Sequence, residues 1–111
     1  MILPPEAHVA AKKGQLAQLE RELKDERRNN KADVMLTERD ENGWQILHQG
    51  VAGGHAAVVE LLVSHGAEIN SRTHGGYGET PLRIAEKRLG HTDPIVTFLK
   101  GLGALSIGPE L

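Results

Sequence analysis

The sequence predicts an all-α solenoid of stacked helix-turn-helix units joined by hairpin-like loops. Three observations lead there. A pattern of small, aliphatic and glycine residues returns after 35 positions, from Leu47 to Leu82 and from Ala32 to Ala67. Helix starts and stops are written into Thr80-Pro81 and Asp93-Pro94 and into Gly54, Gly66 and Gly90. Finally, 39% of the residues are hydrophobic but only Trp44, Tyr77 and Phe98 are aromatic. Small aliphatic side chains must therefore do the packing, which suits closely spaced helices better than a thick two-sheet core.

Taken in order, the first helix is expected from about Glu6 to Lys13, with Ala7, Ala10 and Ala11 as small packing residues and Gly14 as its breaker. A longer one follows from about Leu16 to Arg28. Leu16, Leu19 and Leu23 give it an apolar stripe, and Glu20/Lys24 and Arg21/Asp25 make i,i+4 pairs on a solvated face. Residues 29 to 42 are polar and turn-like around Val34-Met35-Leu36. Two short helices are expected next, about Gln45 to Ala52 and about Ala57 to Ser64, with Gly66 supplying a left-handed C-terminal cap. Asn70 to Glu79, with its glycines around Tyr77, reads as a loop or hairpin. Thr80 then caps a helix that opens on Pro81 and runs to about Leu89, and Asp93 and Pro94 open another that runs to about Leu99. Gly101 to Leu111 is expected to pack loosely or fray.

A chain of 111 residues is one domain at most. At that size folding buries roughly 60 to 70% of the extended chain's surface, so the stability margin is thin. The absence of cysteine removes disulfides and thiolate metal sites and fits a reducing compartment. Thirteen basic residues against fifteen acidic ones give a net charge of -2, which argues against a nucleic-acid footprint. The opening Met-Ile-Leu-Pro-Pro-Glu does not read as a signal peptide, and no apolar run approaches the ~20 residues that cross a bilayer. The expected setting is intracellular, cytoplasmic or nuclear.

The repeat is the most informative feature. Its middle unit runs Gly43-Trp-Gln-Ile-Leu-His48, Gly54-His55, Val58-Val59-Glu-Leu-Leu62 and Gly66-Ala67-Glu-Ile-Asn70. The third runs Gly78-Glu-Thr-Pro-Leu82, Ala85, Gly90-His91, Ile95-Val96-Thr-Phe-Leu99 and Gly103-Ala104. The first is weaker, with Ala7-His-Val-Ala-Ala-Lys-Lys-Gly14, Leu16, Leu19, Leu23 and Ala32-Asp-Val34. Together these resemble the ankyrin repeat, whose period is about 33 residues. The implied organisation is one domain over residues 1–105, with units at about 6–34, 40–70 and 75–104 and a tail at 106–111. The resemblance also implies that His48 closes a hydrogen-bond network at its helix start.

Departures from the pattern are specific. The middle unit has Gln45-Ile46 for the usual Thr-Pro and Gly50-Val51 for the paired alanines, and Gly50 costs about 1 kcal/mol relative to Ala in a helix. Arg83 stands where His48 would recur, and the third unit carries extra residues before Gly90 and Ile95 and around Gly75 to Tyr77. About three units is the lower limit for a free-standing stack, so marginal stability is expected.

No metal, cofactor or catalytic site is expected. The histidines at 8, 48, 55, 65, 74 and 91 include no i,i+4 pair with a flanking acid, and four of them (His8, His48, His55, His91) fall on ankyrin positions. Gly75-Gly-Tyr-Gly78 lacks the features of a phosphate loop, and Asp40/Glu41 has no nucleophile or base aimed at it. An enzyme reading would need a catalytic domain elsewhere in a longer protein. The resemblance implies instead that the chain binds another protein through its concave face and loop tips. Trp44, at a turn-tip position that faces the concave side in this family, is the first candidate anchor. Its alternative is to fold over its own loop or onto the neighbouring unit. Arg39, Glu41, Asn42 and Gln49 would form the polar rim, joined by Tyr77, Glu79, Lys87 and Arg88 from the third unit. The outgoing-loop side offers mainly Ser64, His65 and Glu68. The second reading is a small structural or scaffold subunit of a larger assembly, which an open apolar patch at the ends of the stack would favour.

Overall fold

The computed structural model describes residues 4–24, 35–73 and 78–105; the side chains of Pro4 and Pro5 are not described. Six helices come in three pairs: α1 (Pro4–Lys13) with α2 (Leu16–Leu23), α3 (Ile46–Gly53) with α4 (Ala56–Ser64), and α5 (Pro81–Leu89) with α6 (Pro94–Gly101). A further helical turn covers 35–37. The main contacts run α1 to α3 to α5 in an inner row and α2 to α4 to α6 in an outer row, and each pair also packs internally. No strand is present among the described residues.

The termini of the helices follow local chemistry. Pro81 and Pro94 each sit in a first turn, where the missing N–H has no intrahelical acceptor to lose. The Thr80 hydroxyl accepts from the N–H of Arg83 at 3.2 Å, and the Asp93 carboxylate from that of Ile95 at 2.9 Å. Gly66 follows His65, the capping residue of α4, with φ +98, the left-handed geometry expected of it. Helix α1 begins at Pro4, two residues earlier than expected, because both prolines fit a first turn. By contrast α2 stops at Leu23, short of Arg28, with Lys24 as its cap. Leu23 is the last apolar residue of the stripe, and Lys24-Asp-Glu-Arg-Arg28 offers nothing to continue a buried face. Residues 25–34, including Ala32-Asp-Val34, lie outside the described residues.

The core is aliphatic. Leu19, Ile46, Leu47, Val51, Val58, Val59, Leu62, Ala85, Ile95, Val96 and Leu99 are all at most 1% exposed. Each full-size side chain among them contributes roughly 1.5 to 3 kcal/mol by leaving water. Small residues set the helix spacing. A Cβ on Gly50 would lie 3.1 Å from Val58 Cγ1, so the glycine that breaks the usual alanine pattern lets α4 seat closely on α3. Between α1 and α3 the approach is tighter still, since a Cβ on Gly53 would lie 2.3 Å from the Lys12 carbonyl oxygen.

The chain after α6 is held in place through Leu105, unlike the loose tail expected from Gly101 onward. Helix α6 itself extends to Gly101, and Gly103, at φ +82, turns the chain so that the Ala104 N–H reaches the Leu99 carbonyl at 3.0 Å. The Leu105 N–H donates to Asn70 Oδ1 at 2.8 Å and its carbonyl accepts from the Thr80 hydroxyl at 2.6 Å. Residues 106–111 lie outside the described residues.

Candidate functional site

The site is built on the turn that precedes α3. Asp40 and Gly43 close it, with the Gly43 N–H donating to the Asp40 carbonyl at 3.0 Å and Gly43 at φ +75. The Asp40 carboxylate then organises the residues downstream of it. It accepts from the N–H groups of Asn42 and Trp44 at 2.8 and 2.9 Å and from Gln49 Nε2 at 2.7 Å. On sequence alone Asp40 is considered only as a catalytic acid. The signal for its structural role is nonetheless present: Asp at the first position of a turn with Gly at the fourth is the side-chain pattern such turns favour.

His48 performs the network role that the resemblance implied. Its Nδ1 accepts from the Gln45 N–H at 2.9 Å, which leaves Nε2 to carry the proton and donate to the Ser71 carbonyl at 2.7 Å. The ring is fully buried. Desolvation is the main reason its pKa falls from the usual 6.5 to about 4, assisted by the Arg39 cation and opposed by the hydrogen bonds at Ser71 and Gln45 and by the Asp40 carboxylate. Gln45 replaces the usual threonine without loss of order, because its own amide donates to the Thr37 carbonyl at 3.3 Å.

His8, at the matching position of the first unit, is also buried, but neither ring nitrogen has a hydrogen-bond partner among the described residues. The residue three before it is Pro5, which has no N–H to offer where Gln45 donates to His48. Burial pushes the His8 pKa below its ordinary value, with Asp40 and Glu38 opposing.

Of the predicted partner-binding residues, Trp44 is half-buried and packed against the core, where a freely exposed anchor was expected. Its ring centroid lies 6.0 Å from that of His48, and the Arg88 guanidinium sits over it at 5.4 Å. The indole therefore leans onto the third unit. Arg39 is exposed, but its guanidinium donates to the Gly43 and Arg72 carbonyls at 2.6 and 2.8 Å and to the Ser71 hydroxyl at 3.1 Å. It ties neighbouring loops together. Gln49 is engaged by Asp40, Glu41 and Asn42 are exposed at the tip, and Lys87 pairs with Glu79 at 2.8 Å. Tyr77 lies outside the described residues. The loop that carries it is hairpin-like at its base, where the Thr73 N–H donates to the Glu79 carbonyl at 3.0 Å and the Thr73 hydroxyl accepts from the Glu79 N–H at 2.9 Å. Among the described residues no three His, Asp or Glu side chains could jointly hold a metal ion, and no helix is long and apolar enough to cross a membrane.

Residues 7–105 match the family model for ankyrin repeats, in three copies. The chain belongs to the ankyrin-repeat family. It is 44% identical over 48 residues to an ankyrin repeat-containing protein of fission yeast, P1E11.10, and 39% identical over 61 residues to the NF-kappa-B inhibitor cactus of Drosophila melanogaster. Those segments are 43% and 55% of this chain but only 22% and 12% of the relatives, so the chain spans a small part of their length. Two solved structures superpose on 89% of it. One is the human ASB11 ankyrin repeat domain, with a TM-score of 0.67, 28% identity and 40% of that chain covered. The other is from the Bdellovibrio bacteriovorus predatory endopeptidase Bd0816 in complex with the immunity protein Bd3460, with a TM-score of 0.68, 25% identity and 46% of that chain covered. Ankyrin repeats are protein–protein interaction modules and in general a non-catalytic fold.

Proposed function

We propose that this chain is a binding module, not an enzyme, that holds a protein partner on the concave face of the inner helices and on the loop tips. The residues assigned to that contact are Trp44, Glu41, Asn42, Arg39, Gln49, Tyr77, Glu79, Lys87 and Arg88, within a single domain over residues 1–105. The observation that carries the reading is Trp44 itself. A half-buried indole held by a preorganised turn and capped by an arginine needs little ordering on binding, and such aromatic and arginine pairs concentrate interface energy. Arg39 acts in this reading as a support for the tips more than as a contact.

The test is capture from native lysate with wild type, Trp44→Ala and the outer-helix control Glu60→Ala. Loss of one partner by Trp44→Ala alone, with unchanged circular dichroism, supports the concave face; a loss of about 2 kcal/mol, roughly 30-fold in affinity, is expected. Retention of the partner by Trp44→Ala, with loss by Glu60→Ala, refutes it. A second reading, a structural subunit of a larger assembly, draws on Val9 beside α1's outer end and on Leu102 and Leu105 after α6, which are 50%, 45% and 44% exposed. Val9 borders a shallow depression of about 390 Å³ with Glu6, Gln15 and Gln18. These apolar residues are isolated among charged neighbours, which favours the first reading.

A further inference from the structure

We infer that the concave face takes an extended segment of a protein partner with acidic residues at both ends and an uncharged, apolar middle; this rests on the binding reading above. The three inner helices end in register. Lys12-Lys13 precede Gly14 on α1, Ala52-Gly53 precede Gly54 on α3, and Lys87-Arg88 fall 35 residues after Ala52-Gly53 on α5. All four cations are exposed, whereas Ala52 and Gly53 are half-buried. The face thus reads positive, neutral, positive, in a chain whose net charge is -2.

Basic residues in a last turn also complement the helix macrodipole. That account predicts a cation at all three inner ends, yet α3 has none in its last turn, while Trp44 lies across the neutral gap toward α5. Neither existing contact of the third-unit cations blocks a ligand. The Lys87–Glu79 pair is solvent-exposed on both sides, and such pairs are worth about 0 to 1 kcal/mol. An incoming carboxylate can replace Glu79 on Lys87 and approach the exposed edge of Arg88 while the guanidinium stays on the indole.

Geometry sets the length of the segment. Packed helices lie about 8 to 10 Å apart, so the two basic pairs are separated by roughly 20 Å. An extended chain advances about 3.3 Å per residue, so roughly six residues separate the acidic ends. The middle then lies over Trp44 and Ala52, where apolar side chains gain most. A single-stranded nucleic acid is disfavoured, because its charge at every residue would meet the Glu38, Asp40 and Glu41 carboxylates beside the same face.

The experiment is fluorescence anisotropy with a labelled peptide of about ten residues, aspartates at both ends and leucine and alanine between. Binding is expected at low salt, weakened at high salt, and weakened roughly tenfold or more by Lys12→Glu/Lys13→Glu and by Lys87→Glu/Arg88→Glu. The first double variant decides the matter if the second does not fold, since Lys12 and Lys13 lie outside the Trp44 contact. Equal affinity for a lysine-ended peptide, indifference to Lys12→Glu/Lys13→Glu, or tighter binding of a single-stranded oligonucleotide overturns the inference. If these charge reversals leave capture of the native partner intact while Trp44→Ala abolishes it, the acidic class falls and the concave-face reading stands. If Trp44→Ala also leaves capture intact, both fall.

Discussion

Acid should loosen this fold well before its carboxylates titrate, and His48 is the reason. Unfolded, the ring has its ordinary pKa of 6.5; folded, the value is about 4, because burial disfavours the cation. The folded value is the lower one, so the neutral form is favoured by folding. His48's contribution is fully present above pH 6.5 and is lost progressively as pH falls toward 4, because the unfolded chain takes up a proton that the folded chain refuses. The full difference corresponds to about 3 kcal/mol, and within the window the slope approaches about 1.4 kcal/mol per pH unit. His8 is shifted in the same direction and adds to the loss. For a three-unit stack with a folding free energy near the low end of about 5 to 15 kcal/mol, that is a large fraction. Urea unfolding followed by circular dichroism at several pH values between 7 and 4.5 measures it, and the His48 ring signal in an NMR titration measures the cause. A flat stability profile across that range, or a His48 signal that moves with a midpoint near 6.5, would refute the reasoning.

Other substitutions test the packing and the turn. Gly53→Ala replaces a helix glycine with the best helix former, yet the added Cβ would meet the Lys12 carbonyl oxygen at 2.3 Å and His55 Cδ2 at 2.8 Å. It should destabilise by about 1 to 3 kcal/mol, read as a lower urea midpoint with unchanged slope; an increase in stability would show that α1 yields easily. Asp40→Ala removes the acceptor for two backbone N–H groups and for Gln49. A loss of about 1 to 3 kcal/mol is expected, with blue- or red-shifted Trp44 fluorescence reporting the disturbed turn, and an unchanged spectrum would count against Asp40 as its organiser. Thr80→Val keeps the shape but leaves the Leu105 carbonyl and the Arg83 N–H without the hydroxyl. It should cost about 1 to 2 kcal/mol and raise amide exchange at residues 102–105, and unaltered exchange there would mean the C-terminal chain is held by other contacts.

What was legible in the sequence was the part governed by local chemistry. Thr80-Pro81 and Asp93-Pro94 specify helix starts from their own atoms, and Gly54 and Gly66 mark ends because few other residues take a left-handed backbone. The 35-residue recurrence then supplied the architecture, since identical faces must stack to bury their apolar sides. The extent of α2 was misread because charged residues favour helix as strongly as leucine does, while only burial decides where a short helix stops. The site was harder. Arg39 reads as a free rim cation until one sees that its acceptors lie more than thirty residues downstream, at Ser71 and Arg72. Trp44 reads as exposed because its cover, Arg88, comes from another unit. The lone state of the His8 ring follows from Pro5 only once both are placed in the first helix with the chemistry of Gln45 and His48 beside them.

The loop bonds carry a consequence for taking the stack apart. His48 and Arg39 both end on Ser71 and its neighbour, Asn70 receives Leu105, and His55 donates to the Lys12 carbonyl at 2.9 Å. Each unit therefore completes its polar inventory with groups owned by the next, so the sequence period and the physical module do not coincide. A cassette cut at the period boundary would leave cut ends whose buried groups have lost their counterparts, the His48 ring among them. Transplanting this recognition surface into another scaffold means moving 35–73 together with 78–105 as one graft, because the middle turn takes its shape from the unit C-terminal to it.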